Sequence, residues 1–224
     1  MGATGSFPID LVIFGMIAAF LVLRLRSILG KRSGFERPSA PPQPAQPRTP
    51  AAPIIEGRAE PVPTPPAAIH MPDAETPAAQ ALAAMRNIDR NFDPARFLAG
   101  VDQAFRIIVK AFANGERAAL RPLLGDETYA AFDHAITARE KAGETQVSDI
   151  RSIQSIDITD ASLRGRVGSM TVRIASDQLS YATDKDGRHT AGTDALTEII
   201  DLWTFERDLS QQDPTWRLVA VRSG

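Results

Sequence analysis

The chain has 224 residues and a formal net charge of -2, from 25 basic and 27 acidic side chains. Because nucleic-acid-binding domains usually carry a basic excess, this balance indicates no nucleic-acid partner. The chain has no cysteine and only three scattered histidines, which excludes disulfides and leaves too few parts for a metal cluster or a nucleophile and histidine pair, so we expect no cofactor.

The first element is an apolar run from Phe7 to Leu25. As an α-helix rising about 1.5 Å per residue, it spans roughly 28 Å, close to the ~30 Å hydrocarbon core of a bilayer. Pro8 suits the first turn of such a helix and Gly30 a position just beyond its end. The sequence therefore predicts a transmembrane helix within an anchor of residues 1–30. Its membrane-embedded residues are Ile9, Leu11, Val12, Ile13, Phe14, Gly15, Met16, Ile17, Ala18, Ala19, Phe20, Leu21, Val22 and Leu23.

Positive charges follow the charge-free core of this run, Leu11 to Leu23, and none precedes it; they include Arg24, Arg26, Lys31 and Arg32. A secretory signal peptide has the opposite order, with basic residues first and a small-residue cleavage site afterwards. A cleaved signal peptide and a buried core helix are the alternatives, and the charge order favours a retained anchor. The positive-inside rule then places the N-terminus outside and everything downstream in the cytoplasm. The four basic side chains would lie at the membrane surface, each contributing about 1 kcal/mol against anionic headgroups.

Residues 31–76 are basic at first and then rich in proline and alanine, and thirteen of the seventeen prolines fall between Pro38 and Pro77. Such a composition buries too little apolar surface to offset the cost of ordering the backbone, so it predicts a disordered or partly polyproline II tether. Fully extended, the forty residues from Pro38 to Pro77 would reach on the order of 120 Å. Their PxxP spacings could also attract a partner with a groove, which is the less favoured role.

A folded domain is predicted over residues 77–224. Its helices open at polar N-caps or first-turn prolines, and the second and third long helices end at glycine, as caps require. The first has a narrow stripe of Leu82, Met85 and Ile88, suited to packing on the domain or to lying on a membrane. The first predicted helix runs from Thr76-Pro77 to Ile88 and the second from Asp93-Pro94 to Asn114. The third has Asp126 as its N-cap and ends at Ala142, and a short helical piece at residues 116–120 precedes it.

Beyond Gly143 the apolar period changes from helical to alternating, which predicts antiparallel strands. Met170, Val172 and Ile174 are expected to point inward. The strands are predicted at Val147–Thr159, Leu163–Leu179, Thr197–Asp208 and Thr215–Arg222, with a turn at Thr159–Ser162 and a loop or frayed tip at Tyr181–Asp194. Three helices and about four strands predict an α+β domain with helices on one face of a curved antiparallel sheet.

Three segments carry a family resemblance: FDPARFLAGVDQAFRIIVKAF from Phe92, DLWTFERD from Asp201 and DPTWRL from Asp213. They resemble the Tim-44-like domain, that of the mitochondrial inner-membrane translocase subunit 44, in its alphaproteobacterial form. The resemblance implies a cone-shaped fold of the nuclear transport factor 2 type with an apolar pocket. It also implies an adaptor at the bacterial inner membrane, with membrane lipids and the translocation machinery, a chaperone or the ribosome as partner classes. The long region that recruits the chaperone in the mitochondrial adaptor is replaced here by the tether.

Four residues are pocket candidates: Tyr129, Asp201, Trp203 and Phe205. By strand alternation, Asp201 shares a face with Trp203 and Phe205, so its carboxylate would lie beside apolar walls. Two interpretations of Asp201 remain open. Burial could shift the pKa of its carboxyl group, as in pocket enzymes, or it could be an ordinary carboxylate paired near the strand end. Because a lone carboxylate is a weak catalytic signal, the sequence favours a binding adaptor over an enzyme. A carrier of a small apolar ligand or lipid, and a pocket enzyme using Asp201, are the alternative functions.

Overall fold

The computed structural model describes residues 67–224, so the predicted anchor and most of the proline-rich tether lie outside the described residues. The described part is an α+β fold with one five-stranded sheet and four helices. Within residues 67–224, no helix has the length and apolarity needed to span a bilayer. The elements in chain order are β1 (Ala68–His70), α1 (Pro77–Ile88), α2 (Pro94–Asn114), α3 (Arg117–Leu120), α4 (Asp126–Ala142), β2 (Thr145–Arg164), β3 (Val167–Thr183), β4 (His189–Asp208) and β5 (Arg217–Ser223).

The helix ends follow the capping signals of the sequence, with one exception. Asp93 accepts hydrogen bonds from the backbone N–H groups of Ala95 and Arg96, and α2 ends at Gly115 with a left-handed φ of 72°. The predicted N-cap of α4, Asp126, is wrong: Gly125 is the N-cap and Asp126 is the first helical residue. The Gly125 N–H donates to the Leu218 carbonyl at 2.9 Å, which holds Gly125 in an extended conformation, and the helix begins one residue later.

The sheet has the order β1-β2-β3-β4-β5, and β2 to β5 form an antiparallel meander. The prediction of about four strands, all antiparallel, is corrected by β1, which pairs parallel to β2 with Ala68 opposite Ser155 and His70 opposite Asp157. This strand comes from the range assigned to the tether, where three residues between prolines give no alternating pattern to detect. A hydrogen bond between the His70 imidazole and the Asp157 carboxylate joins the two strands.

The hairpins are longer than predicted. The turn expected at Thr159–Ser162 lies inside β2, which continues to Arg164, and Gly165 begins the actual turn with a φ of 62°. Register shifts along β2, including one between Ile158 and Asp160, absorb the irregular spacing that suggested an earlier turn. The predicted loop at Tyr181–Asp194 is mostly strand, and the part outside β3 and β4 is residues 184–188.

One face of the sheet carries the core. Met170, Val172 and Ile174 are each 0% exposed, as predicted, and helices α1 and α2 pack against β2. Trp203 lies in this core with its ring centroid 4.7 Å from that of Phe105. In the predicted apolar stripe of α1, Leu82 and Met85 are buried and Ile88 is 39% exposed. Of the two roles considered for this helix, packing on the domain is the one the structure describes.

Candidate functional site

An open groove of about 560 Å³ lies between the N-terminal half of α2 and the loop that joins β4 to β5. Ligand sites commonly have volumes of roughly 300–1,000 Å³. Aromatic rings form much of its lining. The ring centroid of Trp216 lies 5.0 Å from that of Phe97 and 5.6 Å from that of Phe92, and Phe97 lies 5.8 Å from Phe205. We call this feature the aromatic groove.

The alternation of β4 brings a charged residue to the aromatic groove. Trp203 and Phe205 face the core, and Arg207 continues the same face at the end of the strand. The chain then returns through residues 209–216 and places Trp216 against Phe97 of α2 and beside Gly168 of β3. The two short segments that carry the family resemblance therefore meet in this groove.

Arg207 forms a largely buried ion pair in the groove. Its Nη1 lies 3.0 Å from Oδ2 of Asp89, and the two side chains are 10% and 14% exposed. The Arg207 Nε also donates to the Asp213 carbonyl at 2.9 Å. Asp89 ends α1, where its backbone N–H donates to the Met85 carbonyl. One guanidinium thus joins the end of α1, strand β4 and the β4–β5 loop.

Two carboxylates order the β4–β5 loop. Asp208 accepts from the hydroxyl of Ser210 at 2.7 Å and from its backbone N–H at 2.9 Å, and these hydrogen bonds lower the pKa of Asp208. Asp213 accepts from the Thr215 N–H at 3.0 Å, and hydrogen bonding from Thr215 lowers the pKa of Asp213. Because hydrogen bonds to the charged form favour it, both groups stay ionised near neutral pH and hold the loop in place.

Gly100 lies in the middle of α2 and lines the groove. A Cβ placed there would meet no heavy atom within 4 Å, so close packing does not require a glycine. A glycine inside a helix costs about 1 kcal/mol relative to alanine. The space above Gly100 belongs to the groove and is open to an occupant.

The remaining lining is suited to binding. Asn91, Gln211 and Gln212 supply exposed amides at the rim, and Asp93 and Arg96 supply one charge of each sign. The lining includes no histidine, lysine or serine. Residues 67–224 bring together no group of three or more His, Cys, Asp or Glu side chains that could hold a metal ion. Aromatic surface with hydrogen-bonding groups at its edge is typical of a surface that binds a peptide or small molecule.

Three of the four predicted pocket residues share one face of β4. Phe205 lines the groove, and Trp203 and Asp201 follow deeper along the strand, 1% and 0% exposed. Asp201 lies within β4, opposite Ile174 of β3 and Ser223 of β5. Tyr129 lies on a different element, α4, where its ring centroid is 4.9 Å from the guanidinium carbon of Arg121.

Sequence reasoning missed Asp89, Arg96, Gly100, Arg207 and Trp216 as site residues. Arg207 and Trp216 belong to the segments that carry the resemblance. Gly100 is an isolated glycine inside a helical pattern, which often indicates a packing or functional cause. Asp89 had no comparable signal, because its partner is distant in the sequence.

Comparison with known proteins gives a family. The model of the Tim44-like domain family matches residues 78–223. No curated protein matches the sequence. Among solved structures, the intermembrane space region of the chloroplast protein ARC6 is similar, with 9% identity, a TM-score of 0.43, and coverage of 60% of this chain and 99% of that chain. A putative dehydratase of the NTF2-like family from Streptomyces avermitilis is similar with 13% identity, a TM-score of 0.35, and coverage of 58% and 96%.

Proposed function

The chain belongs to the Tim44-like domain family over residues 78–223, and from this premise we propose that it is a membrane-anchored adaptor whose aromatic groove binds a protein partner. The anchor of residues 1–30 would hold it in the bacterial inner membrane, with the domain on the cytoplasmic side. The aromatic groove is the observation that carries this function. Its open volume, its ring-lined wall and the space above Gly100 all suit the binding of an extended polypeptide.

The groove is built before any partner arrives. Arg207 is already paired with Asp89, and the hydrogen bonds of Asp208 and Asp213 already order the neighbouring loop. Binding to a preformed site costs less conformational entropy than binding that must order a loop. Exposed amides at Asn91 and Gln212 can pair with the backbone of an extended segment, while the half-buried Trp216 ring offers apolar contact and the neighbouring Phe92 ring is 4% exposed.

Anchoring would make moderate affinity sufficient. A domain tethered to the membrane meets other membrane-bound proteins at an effective concentration set by the tether, without any added contact. The translocation machinery, a chaperone and the ribosome are the partner classes under this proposal. The basic residues Arg24 to Arg32 would contact lipid headgroups beside the anchor.

Photo-crosslinking in intact cells tests this function with the full-length protein. A photoreactive residue in place of Gln212, at the exposed rim, should give crosslinks to specific partners. Gly100→Leu fills the groove and should reduce these crosslinks at least tenfold. Ala99→Leu is the matched control, because Ala99 is exposed on the same helix and does not line the groove. Equal crosslinking by both variants would show that the groove is not the binding surface.

A second candidate rests on Asp201, a carboxylate that is 0% exposed on the same face as Trp203. Buried carboxylates are frequent in enzyme pockets and in ligand carriers. Native mass spectrometry of the detergent-solubilised full chain would detect a bound lipid or small ligand. A ligand that copurifies with the wild-type protein and is lost in Asp201→Asn would favour the carrier or pocket enzyme over the adaptor.

A further inference from the structure

Proline recurs at every third position from Pro41 to Pro53, at residues 41, 44, 47, 50 and 53. A polyproline II helix has three residues per turn, so this spacing would align the five rings along one edge. We call residues 41–53 the proline ladder and propose that it binds in the aromatic groove of its own chain. Because the ladder would occupy the surface assigned to the partner, this inference rests on the proposed function.

The groove matches the chemistry of such a segment. Proline-rich segments bind aromatic-lined grooves, since proline rings pack on aromatic faces and the conformation is already ordered. Phe92, Phe97 and Trp216 are neighbouring rings of its lining, and Trp216 offers the larger contact surface because Phe92 and Phe97 are 4% and 6% exposed. A polyproline II backbone has no internal hydrogen bonds, so its carbonyls can accept from the side-chain amides of Asn91 and Gln212 at the rim.

Gly100 gives independent support for an occupant. The position carries no side chain although there is room for one, at a cost of about 1 kcal/mol to the helix. A proline ring entering this space would fill the volume that a side chain at position 100 would otherwise occupy. Charge is compatible as well, because Arg48 is the single charged residue of the ladder and the exposed Asp93 carboxylate lies at the rim.

The connection is long enough. Thirteen residues, 54–66, separate the ladder from Ala67, and in polyproline II they span about 40 Å. One row of paired residues crosses the sheet from β1 to β4. In it, β1 pairs with Ile156 of β2, Ile156 pairs with Ile174 of β3, and Ile174 pairs with Asp201 of β4. With a rise of about 3.3 Å per residue and strands about 4.8 Å apart, the path from β1 to Arg207 is about 24 Å. The ladder therefore reaches the groove without release of β1.

Occupancy by the ladder would link partner binding to distance from the membrane. With the ladder bound, about ten residues, 31–40, would separate the anchor from the domain, which is on the order of 30 Å. A partner that displaces the ladder would free the rest of the tether. Because the ladder and the partner compete for one groove, binding of either one lowers the apparent affinity of the other.

The absence of native cysteine allows a direct test on the full-length protein in lipid nanodiscs. One variant carries Gln46→Cys in the ladder and Gln212→Cys at the groove rim. The control carries Gln46→Cys and Lys185→Cys at the exposed β3–β4 tip, about 37 Å from β1 and within the same reach. We expect intramolecular crosslinking to the groove to be at least tenfold faster than to the tip.

Two further variants separate the possible outcomes. Pro44→Ala, Pro47→Ala and Pro50→Ala together should equalise the two crosslinking rates, and because they lie outside the domain, misfolding would not explain the result. Gly100→Leu should do the same. Equal rates with the intact ladder, or crosslinks only between chains, would overturn binding within one chain. If partner crosslinks still depend on Gly100 in that case, the proposed function stands and only the ladder inference fails.

Discussion

Arg207 links three parts of the groove wall through one side chain. Its guanidinium contacts Asp89 at the end of α1 and the Asp213 carbonyl in the β4–β5 loop, and its backbone belongs to β4. Few water molecules reach either charge, so the loss of one partner leaves the other charge poorly solvated. This dependence makes the ion pair a structural requirement of the groove.

Arg207→Met should therefore lower the free energy of unfolding by about 2–3 kcal/mol, the lower end for a broken buried pair because some exposure remains. Urea titration of the full chain in detergent, followed by tryptophan fluorescence, measures the change. Arg106→Met is the matched control, since Arg106 pairs with Asp102 on the surface of α2 with 46% and 35% exposure. That variant should cost at most about 0.5 kcal/mol. Equal costs for the two substitutions would mean that burial of the Arg207 pair adds nothing.

At the residue scale, local signals were predictable and distant pairs were not. Asp93 as N-cap and the inward residues Met170, Val172 and Ile174 follow from rules that act within a few positions. The partner of Arg207 lies more than a hundred positions earlier, and no local pattern connects them. The sequence also placed Phe205 in a pocket, but the groove it lines depends on how α2 packs against the β4–β5 loop.

Among the elements, the β4–β5 loop is a short segment held by charged hydrogen-bond acceptors. Asp208 binds the N–H and hydroxyl of Ser210, and Asp213 binds the N–H of Thr215. Both carboxylates have a lowered pKa in the folded protein. A lowered pKa means that their contribution to stability is present above the unfolded value of about 4 and is lost as pH falls through the folded value.

We therefore expect the loop to loosen below about pH 4 while it stays ordered at pH 6. Hydrogen exchange of the backbone N–H groups at residues 209–216, compared at pH 3 and pH 6 and corrected for the intrinsic exchange rate, measures the loosening of the loop. Asp208→Asn with Asp213→Asn should remove most of the pH dependence in this loop. The β2–β3 turn at Gly165 provides an internal reference. A loop whose protection is the same at pH 3 and pH 6 would refute this role of the two carboxylates.

The sequence predicted long elements better than short ones. Helix α2 extends over more than about five turns, and its predicted bounds were confirmed to the residue at both ends. Strand β1 has three residues and is held by pairing with β2 and by the bond between His70 and Asp157. Such an edge strand exists because of its tertiary neighbours, so its own residues carry no usable pattern.

Under the proposed function, a membrane anchor, a proline-rich connection and a binding domain would follow one another in that order along the chain. The proposed function requires all three, because the groove alone provides no location and the anchor alone binds no partner. The position of Ala67 at the edge strand β1 sets where the connection enters the domain. Membrane insertion of residues 1–30 is therefore the property on which the adaptor proposal most depends.

Single-cysteine labelling can measure this property, since the chain has no native cysteine. In bacterial spheroplasts, a membrane-impermeant maleimide should label Ser6→Cys directly, and it should label Lys185→Cys only after permeabilisation, because the positive charges after the apolar run favour the cytoplasmic side. Ile13→Lys with Ile17→Lys should release the protein from membranes, since each lysine near the bilayer centre costs about 3 kcal/mol. Ile54→Lys with Ile55→Lys in the connection is the matched control and should remain membrane-bound. A wild-type protein that lacks Ser6 after maturation, or that fractionates without membranes, would contradict the anchor and with it the adaptor.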